Sequence, residues 1–140
     1  MQIDVGTQIP GWRIESVDAE KMKTMAVLLR DPNRIHWDVE AVKKLGMGNR
    51  PVNQGPNNMA YVINALIEWI GDATKIRSVY VRFLANVFAQ DTLIASGRVT
   101  DISVEDDEFV ANCDLWLDRE DGNRVLTGKA RVAIPNGKES

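Results

Sequence analysis

The sequence predicts an α+β domain in which an antiparallel sheet packs against one central helix. Over residues 59–70, apolar side chains recur at helical spacing and cover a broad face. After Gly71-Asp72 the apolar period changes to the alternation typical of strands, and residues 120–123 form a good hairpin turn. A sheet with one apolar face needs a second layer to cover it, and the long helix provides that layer.

The N-terminal part is expected to hold one strand and one helix. Residues 1–11 are rich in turn formers and predict an extended segment, and residues 12–17 predict a short strand. Asp18 is a suitable N-cap for a helix over residues 19–29. Pro32 then ends this helix, because the residue before a proline avoids the helical region.

The middle part of the chain is expected to hold a second short helix and the long helix, and the C-terminal part to hold strands. Asp38 predicts the N-cap of a second short helix over residues 39–45, which Gly46 terminates. A polar, turn-rich stretch precedes the long helix. The strands predicted after it cover residues 78–83, 92–104, 109–117 and 124–134, and we expect them to form an antiparallel meander.

Length and composition fit one globular domain over residues 1–140. The net charge of −3 and the scattered basic residues predict no nucleic-acid partner. The single cysteine, Cys113, excludes an internal disulfide and a Cys-rich zinc site, and no metal or redox cofactor is expected without a ligand cluster or dinucleotide fingerprint. Without a signal peptide or an apolar run approaching about 18 residues, we expect a cytoplasmic protein with no membrane span.

The run from Asp31 to His36 carries the most chemical information, because it holds the only histidine of the chain. Histidine has an unperturbed pKa close to neutrality, so it both gives and takes protons, and a nearby carboxylate directs that transfer. Structural alternatives exist for each residue. Asp31 is also a plausible helix-end residue before proline, and His36 a partly buried histidine with a backbone partner.

The pattern Asp31-x-Asn33-x-x-His36, followed by Gly46 and a Gly55-Pro56 turn into an apolar helix, resembles the MaoC-like (R)-specific enoyl-CoA hydratases. The resemblance covers nearly the whole chain. It implies a hot dog fold, an antiparallel sheet wrapped around one long helix. It also implies hydration of a trans-2-enoyl-CoA thioester, with coenzyme A as part of the substrate and no separate cofactor. Three positions depart from the usual family pattern, which has Gly, Pro and His there: Arg30, Arg34 and Gln54.

In this family, an aspartate and a histidine at the positions of Asp31 and His36 activate one water on a single face of the double bond. Asn33 either orients the loop and this pair or forms a simple Asx turn. Gly55 lies where a turn enters the long helix, so its backbone N–H and the helix dipole are suited to hold the thioester oxygen as its charge develops.

Three further polar residues are candidate substrate contacts. Asn53 and Gln54 either touch the thioester or face solvent. Arg82 either meets a coenzyme A phosphate or is a solvated surface residue.

Hot dog subunits generally pair edge to edge, which implies a homodimer or a heterodimer and protects the exposed strand edge. Two alternatives to the hydratase remain open. One is a hot dog acyl-CoA thioesterase, in which a carboxylate directs water at the carbonyl. The other is a weakly active partner subunit of a heteromeric enoyl-CoA hydratase, such as those of steroid side-chain degradation, which the three departures from the family pattern suggest.

Overall fold

In the computed structural model, which describes residues 2–135, a five-stranded antiparallel sheet curves around one long helix. The strands are β1 (Gln8–Ile14), β2 (Ile76–Phe83), β3 (Leu93–Glu105), β4 (Glu108–Arg119) and β5 (Arg124–Ile134). The α-helices are α1 (Ala19–Leu29), α2 (Val39–Lys44) and α3 (Gly55–Ile70). This architecture confirms the predicted α+β class and the hot dog fold.

The strand order is β1-β3-β4-β5-β2, which corrects the predicted four-strand meander. Only β3, β4 and β5 are joined by consecutive hairpins, whereas β2 pairs with β5 at the far edge of the sheet. The connection over residues 84–92 explains the difference, because it crosses the molecule instead of turning back. It buries Val87 and Ala89, and Val87 O accepts a hydrogen bond of 2.7 Å from Asn53 N.

Strand β1 begins earlier and ends earlier than the predicted range of 12–17. Its first residues pair with β3, since Gln8 lies opposite Arg98. The register then shifts between Ile9 and Trp12, where Pro10 and Gly11 lie. Proline cannot donate to a strand ladder and is tolerated at a bulge or on an edge strand, and β1 provides both.

Helix α3 starts at Gly55, one turn before the predicted start at residue 59. Its buried face packs against the inner face of the sheet, where the core also contains fully buried leucines of β3, β4 and β5. The buried apolar residues of α3 are Val62, Ala65, Leu66 and Trp69. No helix within residues 2–135 is long and apolar enough to cross a bilayer.

Two glycines let the sheet coil closely around α3. Gly97 and Gly128 lie on either side of Leu115 in one cross-strand row. A Cβ atom on Gly97 would lie 2.3 Å from the backbone oxygen of Asp114, and one on Gly128 would lie 2.5 Å from that of Tyr80. Since neither oxygen is free to move away from its strand, both positions require the absence of a side chain.

Candidate active site

The end of α1 sets the position of Asp31. Arg30 adopts the left-handed conformation, with φ 51° and ψ 41°, and its N–H bonds back to the carbonyls of Ala26 and Val27. The N–H of Asp31 bonds to Ala26 O at 3.0 Å, which completes a Schellman-type helix end. Asp31 is therefore a helix-end residue, which is the structural alternative that the sequence offered for it. Its carboxylate projects from a backbone held by these hydrogen bonds.

Two short-range hydrogen bonds shape the loop after Asp31. The Asn33 N–H donates to Asp31 Oδ1 at 2.9 Å, and Asn33 Oδ1 accepts from Ile35 N at 3.2 Å. Asn33 thereby caps a single 3-10 turn over Arg34–His36. The two alternatives for Asn33, a simple Asx turn and an orienting role, are thus met by the same hydrogen bonds. The turn brings the His36 ring back toward Asp31.

The two side chains meet. His36 Nε2 lies 3.2 Å from Asp31 Oδ2, and His36 Nδ1 lies 2.6 Å from the carbonyl oxygen of Val52. A carbonyl only accepts, so Nδ1 carries a hydrogen and donates it to Val52, and Nε2 is the ring nitrogen that faces Asp31. The His36 side chain is 11% exposed and that of Asp31 is 29% exposed, so only the carboxylate is well open to solvent.

An open cavity of about 340 Å³ lies beside Asp31. Its lining comes from α1 and from the residue after His36, and it is mostly apolar apart from Asp31 and Lys23. The lining residues are Lys23, Ala26, Val27, Asp31 and Trp37. A mainly apolar group is therefore able to lie next to the carboxylate.

The start of α3 lies close to this pair along the chain, since Gly55 follows Val52 by three residues. The N-cap residue Gln54 gives no side-chain cap, and within residues 2–135 the Gly55 N–H has no hydrogen-bond acceptor. The next residue, Pro56, has no N–H to offer. The free N–H and the positive end of the helix dipole together favour a negatively charged oxygen at this point.

Arg82 does not face this helix end. It lies on the outer face of β2, while its neighbour Phe83 faces inward, and a Cβ on Gly55 would lie 3.0 Å from Phe83 Cζ. Alternation along a strand places successive side chains on opposite faces, so Arg82 and Gly55 are on opposite sides of the sheet. The sheet therefore separates the Arg82 side chain from the Gly55 N–H.

Among known protein families, the MaoC-like domain matches residues 8–113 of this chain. The chain belongs to the MaoC-like domain family. The match includes Asp31, Asn33, His36 and the start of α3. A search of curated proteins found no match for this MaoC-like chain.

Solved structures similar to this MaoC-like protein cover almost its full length. The monoamine oxidase regulatory protein from Archaeoglobus fulgidus is 28% identical with a TM-score of 0.78, covering 96% of this chain and 93% of that one. The (R)-hydratase from A. caviae involved in PHA biosynthesis is 21% identical with a TM-score of 0.81, covering 95% and 98%. The ChsH1-ChsH2 complex from Mycobacterium tuberculosis is 20% identical with a TM-score of 0.77, covering 96% and 100%.

Asn53 and Gln54 of this MaoC-like domain are buried, so the alternative in which they face solvent is wrong. Gln54 Nε2 donates to Met22 O at 2.8 Å, and Gln54 Oε1 accepts from Asn57 Nδ2 at 3.0 Å. Asn53 Oδ1 also accepts from Asn57, at 3.0 Å. These bonds attach α1 to the first turn of α3 and hold the backbone around Gly55.

Sequence reasoning missed the other members of this amide cluster. Asn53 Nδ2 donates to Asn58 Oδ1 at 2.8 Å and to Tyr61 Oη at 3.1 Å. Burial raises the pKa of the Tyr61 hydroxyl above its usual range, so this group stays protonated at neutral pH. The signal available in the sequence was the concentration of amide side chains just before the apolar run, at residues 53, 54, 57 and 58.

Proposed function

We propose that this protein is an (R)-specific hydratase that adds water across the double bond of a trans-2-enoyl-CoA thioester. The observation that carries the proposal is the 3.2 Å approach of His36 Nε2 to Asp31 Oδ2, with Nδ1 held by Val52 O. One carboxylate oxygen and one ring nitrogen are thus close enough together to contact the same water. Membership of the MaoC-like family supports the same chemistry.

The proposed reaction uses the two free atoms of this pair. Asp31 Oδ1 is occupied by the Asn33 N–H, which leaves Oδ2 and His36 Nε2 to hold one water. A proton of that water passes to the pair as its oxygen bonds to C3 and the C2–C3 π bond opens. The pair then returns a proton to C2, so that both additions occur on one face, which in this family gives the (R)-3-hydroxyacyl product.

Charge moves onto the thioester oxygen between these two steps. The Gly55 N–H and the dipole of α3 are the proposed oxyanion site for that oxygen. Asn53, Gln54 and Asn57 act one step away, since their hydrogen bonds hold the backbone that presents the N–H. The apolar cavity beside Asp31 is the proposed place for the acyl group.

A second candidate is a subunit that works with a related chain. The similar ChsH1-ChsH2 structure is a complex of two different chains. We propose that this protein pairs its sheet edge to edge with a second hot dog subunit, either a copy of itself or a different chain. We also propose that the protein is cytoplasmic and that residues 1–140 form one domain.

The test is hydration of crotonyl-CoA and longer enoyl-CoA substrates, followed by loss of the ultraviolet absorbance of the conjugated thioester. Asp31→Asn and His36→Gln are expected to lower kcat by about 10²- to 10⁴-fold. Asp101→Asn is the matched control, because Asp101 is an exposed carboxylate on β3. Full turnover in both site variants contradicts the proposal, whereas release of free thiol from acyl-CoA identifies a thioesterase instead.

The assay with a second chain separates the two subunit arrangements. Activity of the purified protein alone indicates a self-sufficient enzyme. Activity that appears only after addition of a related hot dog chain, and that still requires Asp31 and His36, indicates an obligate pair.

A further inference from the structure

The outer face of the sheet, away from α3, carries an open groove of about 440 Å³. Two adjacent cross-strand rows form it. One row runs from Arg98 through Asp114 and Lys129 to Tyr80, and the other runs from Ser96 through Trp116 and Thr127 to Arg82. Side chains directly opposite each other in such rows lie about 5 Å apart, so these groups share one surface.

This groove is strongly basic although the chain as a whole has a net charge of −3. Four cationic side chains and a single carboxylate line it: Arg82, Arg98, Arg124, Lys129 and Asp114. Two of the cations are neutralised, since Lys129 Nζ lies 3.1 Å from Asp114 and Arg124 Nε lies 2.9 Å from Asp118. Within residues 2–135, the guanidinium groups of Arg82 and Arg98 form neither a salt bridge nor a side-chain hydrogen bond.

Flat surfaces lie between these two free guanidinium groups. The Arg124 guanidinium carbon lies 4.9 Å from the centre of the Trp116 ring, and the Tyr80 ring on β2 is 68% exposed. Guanidinium planes and aromatic rings are the surfaces on which nucleobases stack, and free guanidinium forks bind phosphate oxygens in pairs. The volume of the groove also falls within the range of about 300–1,000 Å³ that small-molecule sites occupy.

The geometry points to this groove as a binding site for a phosphorylated nucleoside, with its phosphates on Arg82 and Arg98 and its base stacked on the Arg124–Trp116 pair. Two sources supply that chemistry. One is the nucleotide end of a coenzyme A thioester, which rests on the proposed function. The other is a free nucleotide that binds independently of the reaction. The groove lies across β2 from Gly55, because Arg82 and Phe83 are successive residues on opposite faces.

Calorimetric titration with adenosine 3′,5′-bisphosphate tests the site without any enzymatic assay. Arg82→Gln/Arg98→Gln is expected to weaken binding at least tenfold, and salt is expected to weaken binding to the unmodified protein. Lys21→Gln/Lys44→Gln is the matched control, since it removes the same charge from two exposed residues outside the groove. The melting temperature of each variant shows that the fold is retained.

Three results overturn the proposal: no binding to the unmodified protein, equal loss of affinity in both double variants, or binding of pyrophosphate as tight as that of the bisphosphate.

Kinetics then identify the source of the nucleotide. A rise in KM for crotonyl-CoA but not for crotonyl-pantetheine in Arg82→Gln/Arg98→Gln identifies the substrate. Unchanged KM values, with nucleotide binding that persists at saturating crotonyl-CoA, identify a free nucleotide. Because the titration does not depend on turnover, it tests the groove even when the protein shows no hydratase activity.

Discussion

The side-chain amide of Gln54 donates to the backbone carbonyl of Met22, so the residue before the first turn of α3 is bonded directly to the middle of α1. The bond is 2.8 Å long and spans 32 residues of sequence. Asp31 follows α1, and Gly55 begins α3. A single buried side chain therefore connects the two segments that carry the proposed water-activating pair and the proposed oxyanion site.

Replacing Gln54 with Ala is expected to reduce the free energy of unfolding by about 2–3 kcal/mol, because it removes two buried hydrogen bonds, to Met22 O and from Asn57 Nδ2, and leaves a cavity. Urea unfolding measures this change. Gln8→Ala is the control, since Gln8 is an exposed glutamine on β1, and we expect it to change stability by less than about 0.5 kcal/mol. Equal losses in the two variants would mean that the bond to Met22 does not stabilise the fold.

Replacing Gly55 with Ala is expected to affect hydration more than stability. The new Cβ would lie 3.0 Å from Cζ of Phe83, whose half-exposed ring has room to swing away. We expect an approximately tenfold fall in kcat, because a shift of well under 1 Å at a reacting group is costly. Adding Phe83→Ala to the Gly55→Ala variant removes this contact and is expected to restore part of the loss. A double variant no better than the single one would rule out the steric explanation.

Replacing Arg30 with Gly is expected to stabilise the protein by about 1 kcal/mol, because Arg30 holds a left-handed conformation that costs an L-residue roughly this amount. Thermal unfolding measures the effect. The same change at Lys21, an exposed position inside α1, should destabilise by about 1 kcal/mol, since glycine is a poor helix former. Two shifts of the same sign would contradict the assignment of Arg30 to the helix end.

The Cys113 thiol is expected to react slowly with alkylating reagents in the folded protein at pH 8.5 and rapidly in denaturant. It is 2% exposed, and burial raises its pKa to about 12, with a smaller contribution from Asp114. Reaction at equal rates in both conditions would show that the site opens readily.

The raised pKa of the Cys113 thiol also predicts how the stability of the fold changes with pH. The folded thiol keeps its proton where the unfolded thiol loses it, so this contribution is complete below about pH 8.5 and is lost as the pH rises toward 12. Between pH 9 and about 11, we expect unmodified protein to lose stability more steeply than Cys113→Ala. Parallel slopes would contradict this.

Local signals made several elements predictable from the sequence. Asp18 and Asp38 cap α1 and α2 through side-chain hydrogen bonds, as their residue types predict. The predicted range 124–134 coincides with β5, because the strong turn over residues 120–123 fixes where the strand begins. The meeting of Asp31 and His36 was also accessible, since both lie in one short loop shaped by Asn33.

The remainder depended on distant parts of the chain. The pairing of β2 with β5 follows from the path of residues 84–92, which no local pattern reveals. The early start of α3 was hidden because Asn57 and Asn58 interrupt the apolar period. Asn58 is buried and Asn57 half-buried, and both form side-chain hydrogen bonds with Asn53. One domain over 1–140 stays a prediction, because the structure describes residues 2–135.

The sheet order determines when each strand can find its partner during synthesis. A chain leaving the ribosome presents β2 well before β5, the strand it bonds to, has been translated. Throughout that interval β2 has no partner strand, and its unpaired backbone groups are open to association with other nascent chains. A product that stops after β4 would leave β2 without a partner permanently, so we expect premature termination there to give material that cells degrade.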